Sequence, residues 1–530
     1  MNRKSMPLKL MTSKPGALPR FISIAVVFVL ALASSSCSKD ISSTEILPPV
    51  TPASADANAG SWKMIVLTGP TQVTVATPAP TNDPGYQSEL ATIKSAQANL
   101  TDAQKTAITY WSSGGVLRWN EIMRELVARS DLPPSPNPDG SYPVPNPANP
   151  FANPQYPFSN PPYAARAYSN VAVAQFEALK VAWYYKFLYN RPSPSKVDSS
   201  IKSLMPTTGV PSYPSEDAVE AAVNAALLTL LFPTSVAEIN AKAAEQQQAA
   251  LLSGRASPSD IAAGVALGNA VAAIISTRAA TDGMKAAGGT PAIWQALADG
   301  ATTRGEIPWI SQDGPPRPPM LPLFGQVKPW MMTSTDIVNE RAAPPPSTSS
   351  AQMKTETAEV LNTVNNLTRD QLATVYKWAD GVSTPTPPGH WDAIAAPYIS
   401  AASYSEVRSA RVYALLNMAL HDAGVACWDT KYFYFSPRPS QLDPEIKTET
   451  GLPNFPSYVS GHSDFSAAAS DVLSYLFPSG ATYFNAQAQE AAMSRLYGGI
   501  HYRSDITVGL AQGQRIGDYT VRFAKSDGAN

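Results

Sequence analysis

The sequence predicts an all-α fold: two pseudo-symmetric helical bundles from a tandem duplication, packed as one globule with long Pro-rich loops. Three observations predict it. Ala218–Phe232 and Phe465–Phe477 place apolar residues at i, i+3, i+4 and i+7, the period of a buried helix face. Alternating Val/Ile-rich strand patterns are scarce. The chain also repeats itself at a fixed offset, Ala165-Arg166 against Ala410-Arg411 (410 − 165 = 245). Tyr168 then matches Tyr413, Trp183 matches Trp428, and Lys186 matches Lys431. Pro211-Ser212-Tyr213-x-Ser215 matches Pro456-Ser457-Tyr458-x-Ser460, and Ser259-Asp260-Ile261 matches Ser504-Asp505-Ile506. Gly264 and Gly268 match Gly509 and Gly513, and Arg191-Pro192-Ser193 matches Arg438-Pro439-Ser440 with a two-residue slip.

The elements follow in order. Residues 1–36 read as an export signal: Arg3, Lys4, Lys9, Lys14 and Arg20 precede the apolar run Phe21–Ala33. That run is about 13 residues, short for a bilayer span. Cleavage after Ala33 gives a free protein. Ser34-Ser35-Ser36-Cys37 instead resembles a bacterial lipobox, with Ser34 where Leu is usual, and a lone Cys just after the apolar run favours a lipid anchor at Cys37. The expected location is the bacterial cell envelope, as an outer-membrane-anchored lipoprotein or otherwise periplasmic or secreted. Residues 37–59 form a polar tether, 60–313 the first helical half, 314–346 a Pro-rich connection and 347–530 the second half. No later segment offers about 18 clean apolar residues. Pro133–Pro162 and Gly314–Pro346 are expected to cover the bundles as ordered loops.

Composition excludes several classes. Of 530 residues, 44% are hydrophobic and 15% charged, enough apolar material for a large core. Lys and Arg total 39 against 41 Asp and Glu, a net of −2, so there is no electrostatic footprint for nucleic acid. Two cysteines, Cys37 and Cys427, exclude a disulfide scaffold and a Cys-based zinc site. Any histidine chemistry draws on His390, His421, His462 and His501.

The repeat acts as an internal control. What both copies keep is structural; what one copy keeps is a candidate for chemistry. His462 faces Asp217, Gly461 faces Glu216, Arg495 faces Ala250 and His501 faces Ala256. An active site therefore belongs to the second half. There, Lys431-x6-Arg438-Pro439, Ser457-Tyr458-Val459-Ser460-Gly461-His462 and Ser494-Arg495-x5-His501 supply what a tetrahedral oxyanion needs. Lys431, Arg438 and Arg495 give three cations, the arginines with paired N–H donors. Ser460 gives a hydroxyl, and Gly461 a bare backbone N–H just before a helix starting near Ser463. One histidine can bond the central atom and the other can move protons.

With these pieces in this order, the sequence resembles the vanadium-dependent haloperoxidases and the type 2 phosphatidic-acid-phosphatase superfamily. The signature spans Lys431 to His501 and departs once, with Val459 for the usual Pro. The resemblance implies vanadate as cofactor, with phosphate able to occupy the same site. It implies His501 as the apical ligand (the nucleophile in a phosphatase) and His462 as the acid–base group. Lys431, Arg438, Ser460, Gly461 and Arg495 would hold the equatorial oxygens. Hydrogen peroxide, halide and a small organic acceptor are the implied partners, with a membrane engaged only through Cys37. The rival readings are an acid phosphatase working through a phosphohistidine, and an envelope binding protein with a relic site. The intact second copy disfavours the relic.

Several residues carry blander readings. Trp428 and Phe455 sit where chloride-oxidising members carry aromatics, yet Trp183 fills the same place in the first copy, so Trp428 fits core packing equally. Lys431 and Arg438, kept as Lys186 and Arg191, could serve pairing with acids such as Glu177 and Asp422. Asp505 is a partner for His501 or a helix cap. His421 reads as a partly buried structural histidine, His390 as a loop-ordering residue and Cys427 as a buried apolar thiol.

Overall fold

The computed structural model describes residues 45–131, 137–139 and 161–529. The export signal, Cys37 and most of Pro133–Pro162 lie outside these residues. The described residues contain helices and no strand. In chain order the principal helices are α1 (Pro84–Gln97), α2 (Asp102–Trp111), α3 (Gly115–Ser130), α4 (Pro161–Tyr189), α5 (Glu216–Leu231), α6 (Val236–Leu252), α7 (Pro258–Ala280) and α8 (Pro291–Thr303). They continue with α9 (Ser334–Asn339), α10 (Ala351–Asn365), α11 (Arg369–Lys377), α12 (Thr386–Ala401), α13 (Glu406–Tyr434), α14 (Gly461–Leu476), α15 (Ala481–Tyr497) and α16 (Arg503–Ala524).

The helix bounds recur at the sequence offset. Helices α4 and α13 each run 29 residues, α5 and α14 each 16, α6 and α15 each 17. The caps recur with them: the Ser215 hydroxyl accepts the N–H of Ala218, and the Ser460 hydroxyl accepts that of Ser463. Helices α4 and α13 pack on each other and are buried on nearly all sides, as expected of helices without a polar face. Trp183 and Trp428 lie fully buried on them.

Helices α5 and α7 touch backbone to backbone. A Cβ on Gly264 would come within 2.5 Å of the Ser215 carbonyl oxygen, and one on Gly268 within 2.6 Å of that of Val219. This corrects one expectation: α7 is long and apolar enough to cross a membrane by length and composition. In the structure its glycine face is consumed by α5, as in a core helix.

One further expectation changes and another gains detail. Of the 37–59 tether, residues 45–59 are described and are pinned to the body. Asp56 takes Arg408 and the Ser405 hydroxyl, Val50 N–H donates to the Ser112 carbonyl, and Ala53 N–H to that of Ser403. The 314–346 connection is ordered and carries α9; its Met320 carbonyl accepts from Trp428 Nε1 at 3.2 Å and Tyr432 OH at 2.6 Å.

Candidate active site

The second half gathers the signature residues from four places: the last turn of α13 (Lys431), the 436–460 loop (Arg438, Ser460), the first turn of α14 (Gly461, His462) and the α15–α16 junction (Arg495, His501). They surround a cavity of about 410 Å³. Gly461, His462, Arg495 and His501 stand on its wall with Trp428, Phe455, Met320 and Ile500. Lys431, Arg438 and Ser460 stand behind that wall.

His501 is buried and its tautomer is fixed by its neighbours. Nδ1 lies 2.8 Å from Asp505 Oδ2, an acceptor, so Nδ1 carries the hydrogen. Nε2 therefore presents a lone pair, and Arg438 Nη1 lies 3.1 Å from it. Burial, then the cations Arg438, Lys431 and Arg495, hold the imidazole well below its ordinary value, so His501 is neutral at physiological pH. Asp505 serves both roles read for it. It orients His501 and takes the Tyr502 N–H at 3.3 Å, which closes the first turn of α16. It also accepts from Ser457 Oγ at 2.5 Å, and burial pushes it up to about 6.

The cations are satisfied by carbonyls rather than carboxylates. Lys431 Nζ donates to the carbonyls of Pro456, Ser457 and Val459 at 2.9, 2.8 and 2.5 Å. Burial brings it down to about 7. Arg438 holds the carbonyls of Phe455 and Ile500, and burial brings it down to about 10. Arg495 donates to Ser494 Oγ and the Val375 carbonyl, and its Nη1 has no protein partner among the described residues. The pairing read for Lys431 with Asp422 does not occur, because Asp422 accepts the N–H groups of Trp330 and Met331. Lys186 pairs with Glu216, not with Glu177, which is occupied by Lys180 and the 65–67 backbone.

Gly461 is the first residue of α14, two positions earlier than the sequence suggests, with Ser460 as N-cap. A Cβ there would meet only ordinary contacts, Phe465 and Trp428 at 3.9 Å. Protein packing does not demand glycine; a side chain would instead enter the cavity. The Tyr458–Val459 peptide is cis, as is Tyr213–Pro214 in the first half.

His462 is 15% exposed at its side chain, and its Nε2 lies 3.4 Å from Asp380 Oδ2. Burial and then Arg495 lower it to about 4. Sequence reasoning missed Asp380, which has neither a motif nor a described counterpart. His390 is not in a loop but in the first turns of α12, with Nδ1 2.9 Å from Asp380 Oδ1. His421 is wholly buried, with ring edges against Phe324 and Trp330, and is structural. Burial pushes the Cys427 thiol up, and it is inert packing. Trp428 and Phe455 pack together at 4.9 Å on the cavity wall, so the copied tryptophan serves core and cavity at once.

Comparison with known proteins agrees with this geometry. Residues 410–526, which contain every signature residue, match the family model of the PAP2 superfamily. A bacterial vanadium-dependent iodoperoxidase shares the fold at a TM-score of 0.54 and 22% identity, over 73% of this chain and 98% of that one. A holo-type bacterial vanadium-dependent chloroperoxidase shares it at a TM-score of 0.51 and 15% identity, over 73% and 97%. No curated protein sequence matches the chain. Residues 410–526 are thus similar to the PAP2 superfamily, and the chain has the all-α fold of the haloperoxidase structures.

Proposed function

We propose that the chain is an exported vanadium-dependent haloperoxidase-like enzyme that oxidises halide with hydrogen peroxide. One observation carries the reading. Three buried cations, Arg495 on the cavity wall with Lys431 and Arg438 behind it, cluster beside a neutral histidine, and none of the three forms an ion pair with a carboxylate among the described residues. Such a cage attracts an external anion. The residues fit a tetrahedral oxyanion: His501 Nε2 offers a lone pair, Arg495 Nη1 and the Ser460 hydroxyl remain donors, and Gly461 leaves room at a helix amino terminus.

Bound there, vanadate supplies a Lewis-acid centre that activates peroxide for two-electron oxidation of halide. The chain's own groups do the rest. His501 would hold the group through Nε2, while Asp505 keeps the proton on Nδ1. Lys431 fixes the 456–459 loop and contributes positive field. Arg438, now beside Nε2, and Arg495 would hold oxygens. His462, whose Nε2 faces the Asp380 carboxylate at 3.4 Å, would exchange protons with peroxide and product through Nδ1. The apolar wall of Met320, Trp428, Leu452, Phe455 and Ile500 suits a small organic acceptor. The basic, apolar and Cys37 order of the amino terminus supports export and lipid anchoring.

An acid phosphatase is the second reading, because the same neutral His501 could accept a phosphoryl group. The long duplicated chain favours the peroxidase. Two assays on the full chain decide: orthovanadate, peroxide and bromide with a halogen acceptor, against a phosphomonoester without vanadate. Halogenation without phosphate release supports the peroxidase; vanadate-inhibited phosphate release without halogenation replaces it with the phosphatase.

A further inference from the structure

Outside the cage, a second group of titratable side chains touches the site from a different part of the chain. Asp380 sits between two imidazoles, with Oδ1 2.9 Å from His390 Nδ1 and Oδ2 3.4 Å from His462 Nε2. Neither Asp380 Oδ2 nor His462 Nε2 has a hydrogen-bond partner among the described residues, so each faces the other at ion-pair distance with its polar atom otherwise unused. The carboxylate is 5% exposed, while the His390 ring is 20% exposed and stacks on Trp378 at 4.2 Å.

The backbone is committed to this arrangement. Asp380, Ser383 and Thr386 all have positive φ, at 44°, 63° and 65°. Three such residues in one turn are uncommon, and they hold the carboxylate at the join of α11, α12 and α14. Charge is arranged around the bridge as well. Arg495 faces Asp380 and His462 from α15, and Glu490, on the same helix, lies beside His390 and takes Lys377 Nζ and Trp378 Nε1.

We propose that His390 is a positioning residue of this site: acting through Asp380, it sets the tautomer and proton affinity of His462 and couples them to the solvent outside the cavity. The inference rests on His462 being the acid–base group. Asp380 attracts the Nε2–H of His462 and leaves Nδ1 as the exchanging nitrogen. A protonated His390 offsets part of the Asp380 charge and opposes protonation of His462. Asp380 and His390 therefore act on His462 in opposite directions. Burial and Arg495 already lower His462 to about 4, so the pair moves an affinity that the site has displaced.

The chain has four histidines, so histidine-selective ¹³C/¹⁵N labelling of the full chain gives few and assignable signals. In wild type, His462 is expected as the Nε2–H tautomer. In Asp380→Asn, which tolerates the same positive φ, that tautomer preference is lost and His462 titrates at lower pH. In His390→Gln, which can still bond Asp380, His462 titrates at higher pH. Halide oxidation in His390→Gln should lose activity towards acid at least about threefold more steeply than wild type, with KM for halide unchanged. Melting temperatures near wild type show that both variants fold. Identical His462 titration and tautomer in all three proteins would overturn the inference. The nuclear signals need neither vanadate nor turnover, so this failure is distinguishable from failure of the haloperoxidase reading.

Discussion

The two halves share helix bounds, caps and two buried cations, Lys186 with Lys431 and Arg191 with Arg438, yet they deal with their cations in opposite ways. In the first half the counter-charge is built in. Lys186 bonds Glu216 at 2.5 Å, Arg255 bonds Glu216 at 2.9 Å, and Arg191 bonds Asp260 at 2.5 Å. Although burial opposes it, Lys186 and Arg255 bring Glu216 down to about 2. Glu216 and Asp217 stand where the second half has Gly461 and His462, and the space left there is about 30 Å³. The corresponding space in the second half is about 410 Å³. The difference teaches that a helical scaffold with buried cations becomes an anion site where Gly461 and His462 stand in place of internal carboxylates and Arg495 stands in place of Ala250.

That comparison can be broken at its largest effect first. His501→Ala makes the second half resemble the first, where Ala256 stands, and should lower vanadate-dependent halide oxidation by about 10³-fold or more. Undiminished turnover would remove His501 from the chemistry. Gly461→Glu goes further and installs the first half's carboxylate beside Arg438 and Arg495. Orthovanadate affinity measured by calorimetry should fall by at least about 100-fold, and the melting temperature without anion should rise.

The converse change is Glu216→Gln in the first half. It leaves Lys186 and Arg255 buried without their counter-charge and should cost about 3 kcal/mol in urea unfolding, with halide oxidation per folded molecule unchanged. A stability unchanged by this variant would show that the first-half carboxylates are incidental.

The smallest effect is one of pH. His462 has a folded value of about 4 against 6.5 ordinarily, so the unfolded chain binds more protons between those values. Stability contributed by neutral His462 is present above about 6.5 and is lost as pH falls towards 4. His462→Gln should remove up to about 3 kcal/mol of that acid dependence, read from urea midpoints across the window. An unchanged acid slope would mean that His462 is not held neutral by the fold.

How far the sequence disclosed this molecule can be judged residue by residue. The helices were legible because the apolar period and the 245-residue repeat both survive in the letters. The cage was legible because His462, Arg495 and His501 break the repeat, and a break in a duplicated sequence is informative without any relative. Asp380 was not legible: its role depends on a positive-φ turn that brings one carboxylate between two histidines from different helices, and no spacing encodes that. His390 was misplaced for the same reason, since Pro387-Pro388-Gly389 reads as a loop although prolines fit a helix's first turn. Lys431 kept its place but showed a different set of partners, because Nζ contacts to carbonyls leave no pattern in sequence. The helix Pro258–Ala280 shows the limit of composition, which cannot tell a membrane span from a core helix packed on glycine.

The most direct test of the central claim is the stoichiometry of orthovanadate binding to the full chain, compared with Gly461→Glu and Glu216→Gln. The account predicts one vanadate per chain in wild type and in Glu216→Gln, and none at the same concentrations in Gly461→Glu. Two vanadates per chain in wild type, or undiminished binding in Gly461→Glu, would contradict it.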